Sequence, residues 1–427
     1  MDFLTIKELE NKHAVRYSAR QNLCFVRGAG AKLFDSSDKC YLDMIGGSES
    51  CLGYGDTKLT AAVTAQAQKL ASPPHEYYSE GHGALLGKLL NNTGFTKAAL
   101  TGGAPEANLA ALALIRGYLK EKGDTRQKLV IASLREQETA GGTIGVSGGA
   151  IASGITTTTT TATTNTTTAA STSGGFRRAY VRLNDFAALK KALTPSAAAF
   201  IIQPIFSDGG VAIADYDYLV NAYALCKSLN VMFFCDETRI GAGITGKKFA
   251  FEHYGIQPDV VTLSRGLGGG LPIGAALTRD AIAAAAGRGV LDIDGFGFGG
   301  ASGAGPSSAG GGVSALSLAA ASIVLDRLDD GLLQKIENMG EYLLSRLYKL
   351  TKYNFVLNVR GRGLLAAVEL SGRIPAARVA NQMEKAGYLI SATDGNVLRI
   401  SPPYIITKSE IDEATTVLSE LFASTNI

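Results

Sequence analysis

Apolar and polar positions change their rhythm along this chain, and each rhythm predicts a different element. Between residues 22 and 45 they alternate around short turns: Leu23-Cys-Phe-Val-Arg, Ala31-Lys-Leu-Phe-Asp and Cys40-Tyr-Leu-Asp-Met. A period of two puts alternate side chains on opposite faces, so the spacing predicts a small antiparallel meander. From Leu59 to Leu70 the period lengthens to that of an alanine-rich amphipathic helix, and Gly83–Leu90 and Glu106–Lys120 follow the same pattern.

From residue 127 short continuous apolar runs alternate with helical ones. Lys128–Ser133, Ala197–Pro204, Val231–Asp236 and Val260–Leu263 read as buried strands. Asp185–Leu193, with Asn184 as its cap, and Tyr216–Leu229 read as the helices between them. Apolar strands with no polar face, separated by helices, imply a mainly parallel sheet covered on both sides. The last third reads as two long helices, Val313–Leu328 and Leu332–Tyr348. Short strands at 356–359, 364–370 and 397–400 and helices at Ala376–Ala386 and Lys408–Leu421 complete an α+β unit.

Composition narrows the classes. The chain has 427 residues, 46% of them hydrophobic, enough for a large core. Net charge is +3 and basic residues form no long run, which speaks against nucleic acid as a partner. No uncharged apolar run reaches the roughly 18 residues that span a bilayer, and the first residues have no secretory pattern. Five cysteines without CxxC spacing fit a reduced interior, so a cytoplasmic location is expected. Four histidines show no metal-ligand spacing. The 51 glycines concentrate at 141–154, 266–274 and 295–312, which predicts loops there. Residues 156–175, mostly threonine, predict a solvated flexible loop.

Several segments carry a resemblance. They are Val26–Asp35 with Tyr41-Leu-Asp43, Glu106-Ala-Asn108, Asp236-Glu237, Thr245–Gly255, Asp259–Gly274, Arg360–Gly363 and Leu398–Pro403. In this order they resemble the class III aminotransferases of the acetylornithine/ornithine type, over nearly the whole chain. The resemblance implies a type I aminotransferase fold of the α/β class. It would have an N-terminal segment of the small domain at 1–55, a large domain with a mainly parallel sheet at 56–300 and a C-terminal small domain at 301–427. It also implies a homodimer.

The resemblance assigns roles position by position, and many positions are changed. Arg265 stands where the family has the lysine that holds pyridoxal phosphate. A guanidinium stays protonated and offers no lone pair to an aldehyde. Ala104-Pro105 replaces the glycine–hydroxyl pair that grips the phosphate, and proline has no N–H to donate. Thr139-Ala140 stands where an aromatic residue and a histidine stack on the cofactor ring. Arg239 replaces a glutamine near the cofactor, and Gly297 replaces a threonine that reaches the neighbouring subunit's phosphate. Gln203 and Asp208 stand for two glutamates. Asp236, the partner of the pyridinium nitrogen, and Arg399, the ligand of the substrate carboxylate, are retained.

Two readings of the retained groups stay open. Asp236 is either a pyridinium anchor or a buried carboxylate ion-paired with Arg265 and Arg239. Arg399 either holds a carboxylate in a bidentate fork or pairs within the chain. Lys247 and Lys248 are the lysines nearest in sequence to residue 265, and the family has lysine in that segment too.

The changed contacts lead to the expectation of a catalytically inactive aminotransferase-like protein with vestigial site residues and no cofactor, acting as a scaffold, regulatory or structural homo-oligomer. The alternative is an active acetylornithine/ornithine-type transaminase that uses pyridoxal phosphate to move an amino group to 2-oxoglutarate. An active paralogue or a higher assembly is a further candidate partner.

Overall fold

The computed structural model describes residues 2–15, 20–71, 77–134, 168–169, 176–286, 292–293, 296–297, 313–393 and 396–424. Thr139, Ala140 and the 295–312 loop lie outside these residues, apart from the two-residue strand Phe296–Gly297, which pairs with Asp292–Ile293. Of the threonine-rich loop, only Thr168–Ala169 is described, and it forms an edge strand against Arg177–Arg182.

An eight-stranded sheet forms the centre. Its strands lie in the order Lys97–Thr101, Gly274–Thr278, Val260–Leu263, Met232–Glu237, Ala197–Ile202, Lys128–Ser133, Arg177–Arg182 and Thr168–Ala169. The five strands from Val260–Leu263 to Arg177–Arg182 are mutually parallel. Gly274–Thr278 runs antiparallel to both its neighbours. Every residue of Ala197–Ile202, Met232–Glu237 and Val260–Leu263 is buried, as strands covered on both faces require. The predicted strands are present, and the sheet is mainly parallel with its inner strands covered on both faces, as the α/β expectation requires.

Helix boundaries follow their caps. Asp56 accepts from the Leu59 amide and starts Thr57–Lys69. Ser79 starts Glu80–Leu90 three residues earlier than the spacing predicts. Asp185, one residue after the expected Asn184, caps Phe186–Ala192. Asn184 itself takes a left-handed φ of 65° and binds the Asp215 amide through its side chain. A helix at Phe3–His13, capped by Asp2, has no buried residue, so no apolar stripe advertises it in the sequence.

The meander Phe25–Ala29, Lys32–Asp35 and Cys40–Asp43 pairs with Tyr388–Leu389 from the far end of the chain. A four-stranded antiparallel sheet holds Val356–Arg362, Leu365–Leu370, Val397–Ile400 and Ser391–Thr393. One apolar cluster runs from Leu42 and Met44 through Phe233 and Phe249 to Val368 and Leu418, joining these sheets to the central one. Ligand crevices of open α/β sheets lie beyond the carboxyl ends of parallel strands, and Asp236 and Glu237 close such a strand.

Candidate active site

Asp236 sits at the end of Met232–Glu237 and is 2% exposed. Its carboxylate is held from three elements. Asn108 Nδ2, one turn into helix Ala104–Glu121, donates to Oδ2 at 3.0 Å. The Thr238 amide and hydroxyl donate to Oδ1 at 3.0 and 2.6 Å. Thr262 Oγ1, on the adjacent strand, donates to Asn108 Oδ1 at 2.8 Å and lies 3.4 Å from Asp236 Oδ1. A buried carboxylate oriented by three neutral side chains is directed, not neutralised.

Arg265 and Arg239 do not neutralise it, contrary to the ion-paired reading. The Arg265 guanidinium turns away to Glu49 at 3.4 Å, on the exposed side of the N-terminal segment. Its backbone is fixed more firmly. The Arg265 amide donates to Thr238 O at 3.0 Å, and Cys51 Sγ donates to Gly266 O at 3.1 Å. A Cβ at Gly241, where φ is +54°, would stand 1.8 Å from Arg265 O, so only glycine lets this turn close.

Arg239 turns to Asp208. So does Arg399, whose Nη1 donates to Asp208 Oδ1 at 2.9 Å while its Nε donates to Ser391 Oγ at 3.2 Å. Arg239 Nη1 donates to the other oxygen, Oδ2. The side chains of Arg239 and Arg399 are 13% and 18% exposed, and that of Asp208 is 43% exposed. Asp208 rides on a turn in which Gly210 and Val211 both take positive φ, 74° and 56°. A β-branched residue there is strained, and the surrounding structure must hold it. Arg360 does so, donating to Gly210 O at 2.7 Å and to Val211 O at 3.2 Å.

Next to Asp236, Glu237 is wholly buried and accepts from the Ala250 and Phe251 amides at 2.6 and 2.9 Å. Burial pushes its carboxyl up to about 8 against the pull of those two amides. It ties the Thr245–Gly255 segment to the sheet and faces away from the crevice residues named above. Lys248 is buried at the end of Glu80–Leu90, 3.3 Å from Lys88 O and 3.5 Å from Asn91 O, and burial pulls its ammonium below the usual lysine range. Lys247 is exposed.

Ala104 and Pro105 open the 18-residue helix Ala104–Glu121 after Gly103. A Cβ at Gly274 would stand 2.2 Å from Gly103 O, so that glycine brings this helix start against the sheet end. Pro105 removes one donor from the helix end, and Glu106 lies in its first turn, where it answers the helix dipole.

Against pyridoxal phosphate this donor set divides. Asp236, buried and oriented by Asn108 and Thr238, fits the ring nitrogen. Residue 265 does not fit covalent attachment, because it is an arginine, whose guanidinium stays protonated, and it pairs with Glu49. The sequence marks Asp236 and Arg399. It does not mark Asn108, Thr238 and Thr262 as one network, nor the turn of both Arg239 and Arg399 to Asp208, since these pairings join residues distant in the chain.

The profile described as aminotransferase class-III matches residues 14–422. The chain belongs to the class III aminotransferases. Proteins named acetylornithine aminotransferase align along its length. That of Methanocaldococcus jannaschii is 33% identical and covers 97% of each chain. That of Aquifex aeolicus is 32% identical, over 94% of this chain and 98% of its own. Among solved structures, the acetylornithine aminotransferase from Elizabethkingia anophelis superposes with a TM-score of 0.79 at 25% identity, covering 99% of both chains. The ornithine aminotransferase from Toxoplasma gondii ME49 gives 0.81 at 25% identity, over 99% of this chain and 95% of its own.

These relatives correct two expectations. A catalytically inactive scaffold does not accord with whole-length similarity to proteins that carry a transaminase name. The absence of a cofactor does not accord with a family that uses pyridoxal phosphate. The physical reason is one of weight. Single lost contacts weaken a grip, while Asp236 and the hydrogen bonds that orient it stay whole. No described helix is long and apolar enough to cross a membrane.

Proposed function

We propose that this chain moves an amino group from an N-acetylated or free ornithine-type donor to 2-oxoglutarate with pyridoxal phosphate. The observation that carries the proposal is Asp236, buried and oriented by Asn108 and Thr238 at the carboxyl end of a parallel strand. The cofactor supplies an electron sink when bound. In this reading Asp236 holds the ring nitrogen charged, and Arg399 receives a substrate carboxylate when Asp208 gives it up. Residue 265 contributes no amine, so the cofactor is held without a bond to that side chain and no proton transfer is assigned to it. The division at 1–55, 56–300 and 301–427, a homodimer and a cytoplasmic site of action belong to the same proposal.

The test is glutamate formation from acetylornithine or ornithine and 2-oxoglutarate, with and without added pyridoxal phosphate. Glutamate that depends on the cofactor, and that falls at least tenfold in Arg399→Ala, is expected. No glutamate above a denatured control at saturating cofactor would overturn the proposal.

A further inference from the structure

The two oxygens of Asp236 are filled unequally, and the difference comes from one residue. Each oxygen of a carboxylate presents about two acceptor sites. Both sites of Oδ1 go to Thr238, whose amide donates at 3.0 Å and whose hydroxyl donates at 2.6 Å. The Thr262 hydroxyl lies 3.4 Å from the same oxygen, but its single proton goes to Asn108 Oδ1, the nearer acceptor at 2.8 Å. That bond occupies the Asn108 carbonyl oxygen and leaves its amide nitrogen for Asp236. Among the described residues, Oδ2 receives one donor, Asn108 Nδ2 at 3.0 Å.

The second site of Oδ2 is therefore the one that a ligand can fill. Asp236 is 2% exposed, and an acceptor left empty in such surroundings is costly. One open site matches a ligand group with one hydrogen to give. A ring N–H is such a group, whereas an ammonium would bring three donors to a single vacancy.

Thr238 is wholly buried, and its carbonyl accepts the Arg265 amide at 3.0 Å. One residue thus ties the strand-end carboxylate to the turn that carries residue 265. Loss of the hydroxyl alone would keep this backbone link and reopen Oδ1. An incoming donor would then meet two available oxygens instead of one.

We propose that Thr238 is a positioning residue: its hydroxyl closes Asp236 Oδ1 and makes Oδ2 the single oxygen that receives a ring N–H from the ligand. Taking that ring as the cofactor's rests on the proposed transaminase reading. The choice of oxygen does not.

Calorimetric titration with pyridoxamine phosphate, set against an analogue in which CH replaces the ring nitrogen, tests the assignment. The amine form cannot condense with surface lysines, so only the seat is read. The wild-type protein is expected to bind the nitrogen-bearing compound at least tenfold more tightly. Thr238→Val, which trades the hydroxyl for a methyl group, should cut that preference at least fivefold, and Thr238→Ser should retain it. A residue that only packs would weaken both compounds together and leave their ratio unchanged. If Thr238→Val proves poorly folded, Thr238→Ala judged against Thr238→Ser carries the test. A ratio within twofold of wild type in a folded variant without the hydroxyl overturns the role of Thr238 and leaves the cofactor reading standing. Equal binding of the two compounds by wild type, or no binding of either, overturns the seat itself. A ratio that falls as expected, with no glutamate formed in the transamination assay, keeps the seat and removes the transaminase reading.

Discussion

At the scale of single residues, the chemistry turns on what Arg265 cannot do and what Asp236 still does. A positioned amine that moves protons contributes about 10²- to 10⁴-fold to a rate, and a permanently charged guanidinium contributes none of it. Arg265→Lys is therefore expected to raise turnover by about that factor, read as kcat in the glutamate assay. An unchanged kcat would mean that another group carries the proton. Asn108 donates to Asp236 and accepts from Thr262, all within buried surroundings. Asn108→Ala leaves a buried carboxylate one donor short and should cost about 1–3 kcal/mol of stability in a denaturant titration. The same variant should lower the affinity for added pyridoxal phosphate. Of these roles the sequence shows Asp236 and Arg265 plainly, because both lie in segments that resemble the family. The direction of Arg265 toward Glu49 is invisible there, since the partner lies more than two hundred positions away.

At the scale of elements, the rhythm of apolar residues reports burial, and it served best where burial is complete. Ala197–Ile202 and Met232–Glu237 are apolar on both faces and emerge as strands. Phe3–His13 buries nothing and emerges only through its Asp2 cap, which no periodicity reveals. The segment Thr245–Gly255 shows a third case. Its position depends on Glu237 accepting two amides and on His253 Nε2 meeting Thr245 O at 3.1 Å, pairings that spacing does not encode. Burial and the nearby Arg362 pull the His253 imidazole down to about 4 from its ordinary 6.5. The folded state then resists the proton that the unfolded chain accepts. His253 thus contributes stability that is whole above about pH 6.5 and drains away as pH falls through about 4. The melting temperature of wild type should drop over that window, and His253→Gln should drop less. Parallel curves for the two proteins would contradict the assignment. Tyr404 is fully buried and its hydroxyl donates to Ala242 O at 2.8 Å, which holds the turn before Arg265. Tyr404→Phe should cost about 1 kcal/mol by thermal melting.

At the scale of the whole molecule, the class III architecture places Asp236 and Asp208, with the two arginines that Asp208 binds, near the carboxyl edge of one sheet. The collinear segments made this fold legible, because a scaffold is spread over many residues and survives individual changes. The site was less legible, because its meaning depends on a few side chains and on where each one turns. Light scattering during size-exclusion chromatography should return twice the chain mass if the protein is a homodimer. A single-chain mass at micromolar concentration would oppose that. The claim beneath all of this is that nitrogen passes through the crevice beside Asp236. Acetylornithine labelled with nitrogen-15 at its transferable amine, incubated with this protein, pyridoxal phosphate and 2-oxoglutarate, tests it by mass spectrometry. The account predicts labelled glutamate that accumulates with protein concentration and is lost in Asp236→Ala. Glutamate without the label, or none at all after prolonged incubation, would contradict it.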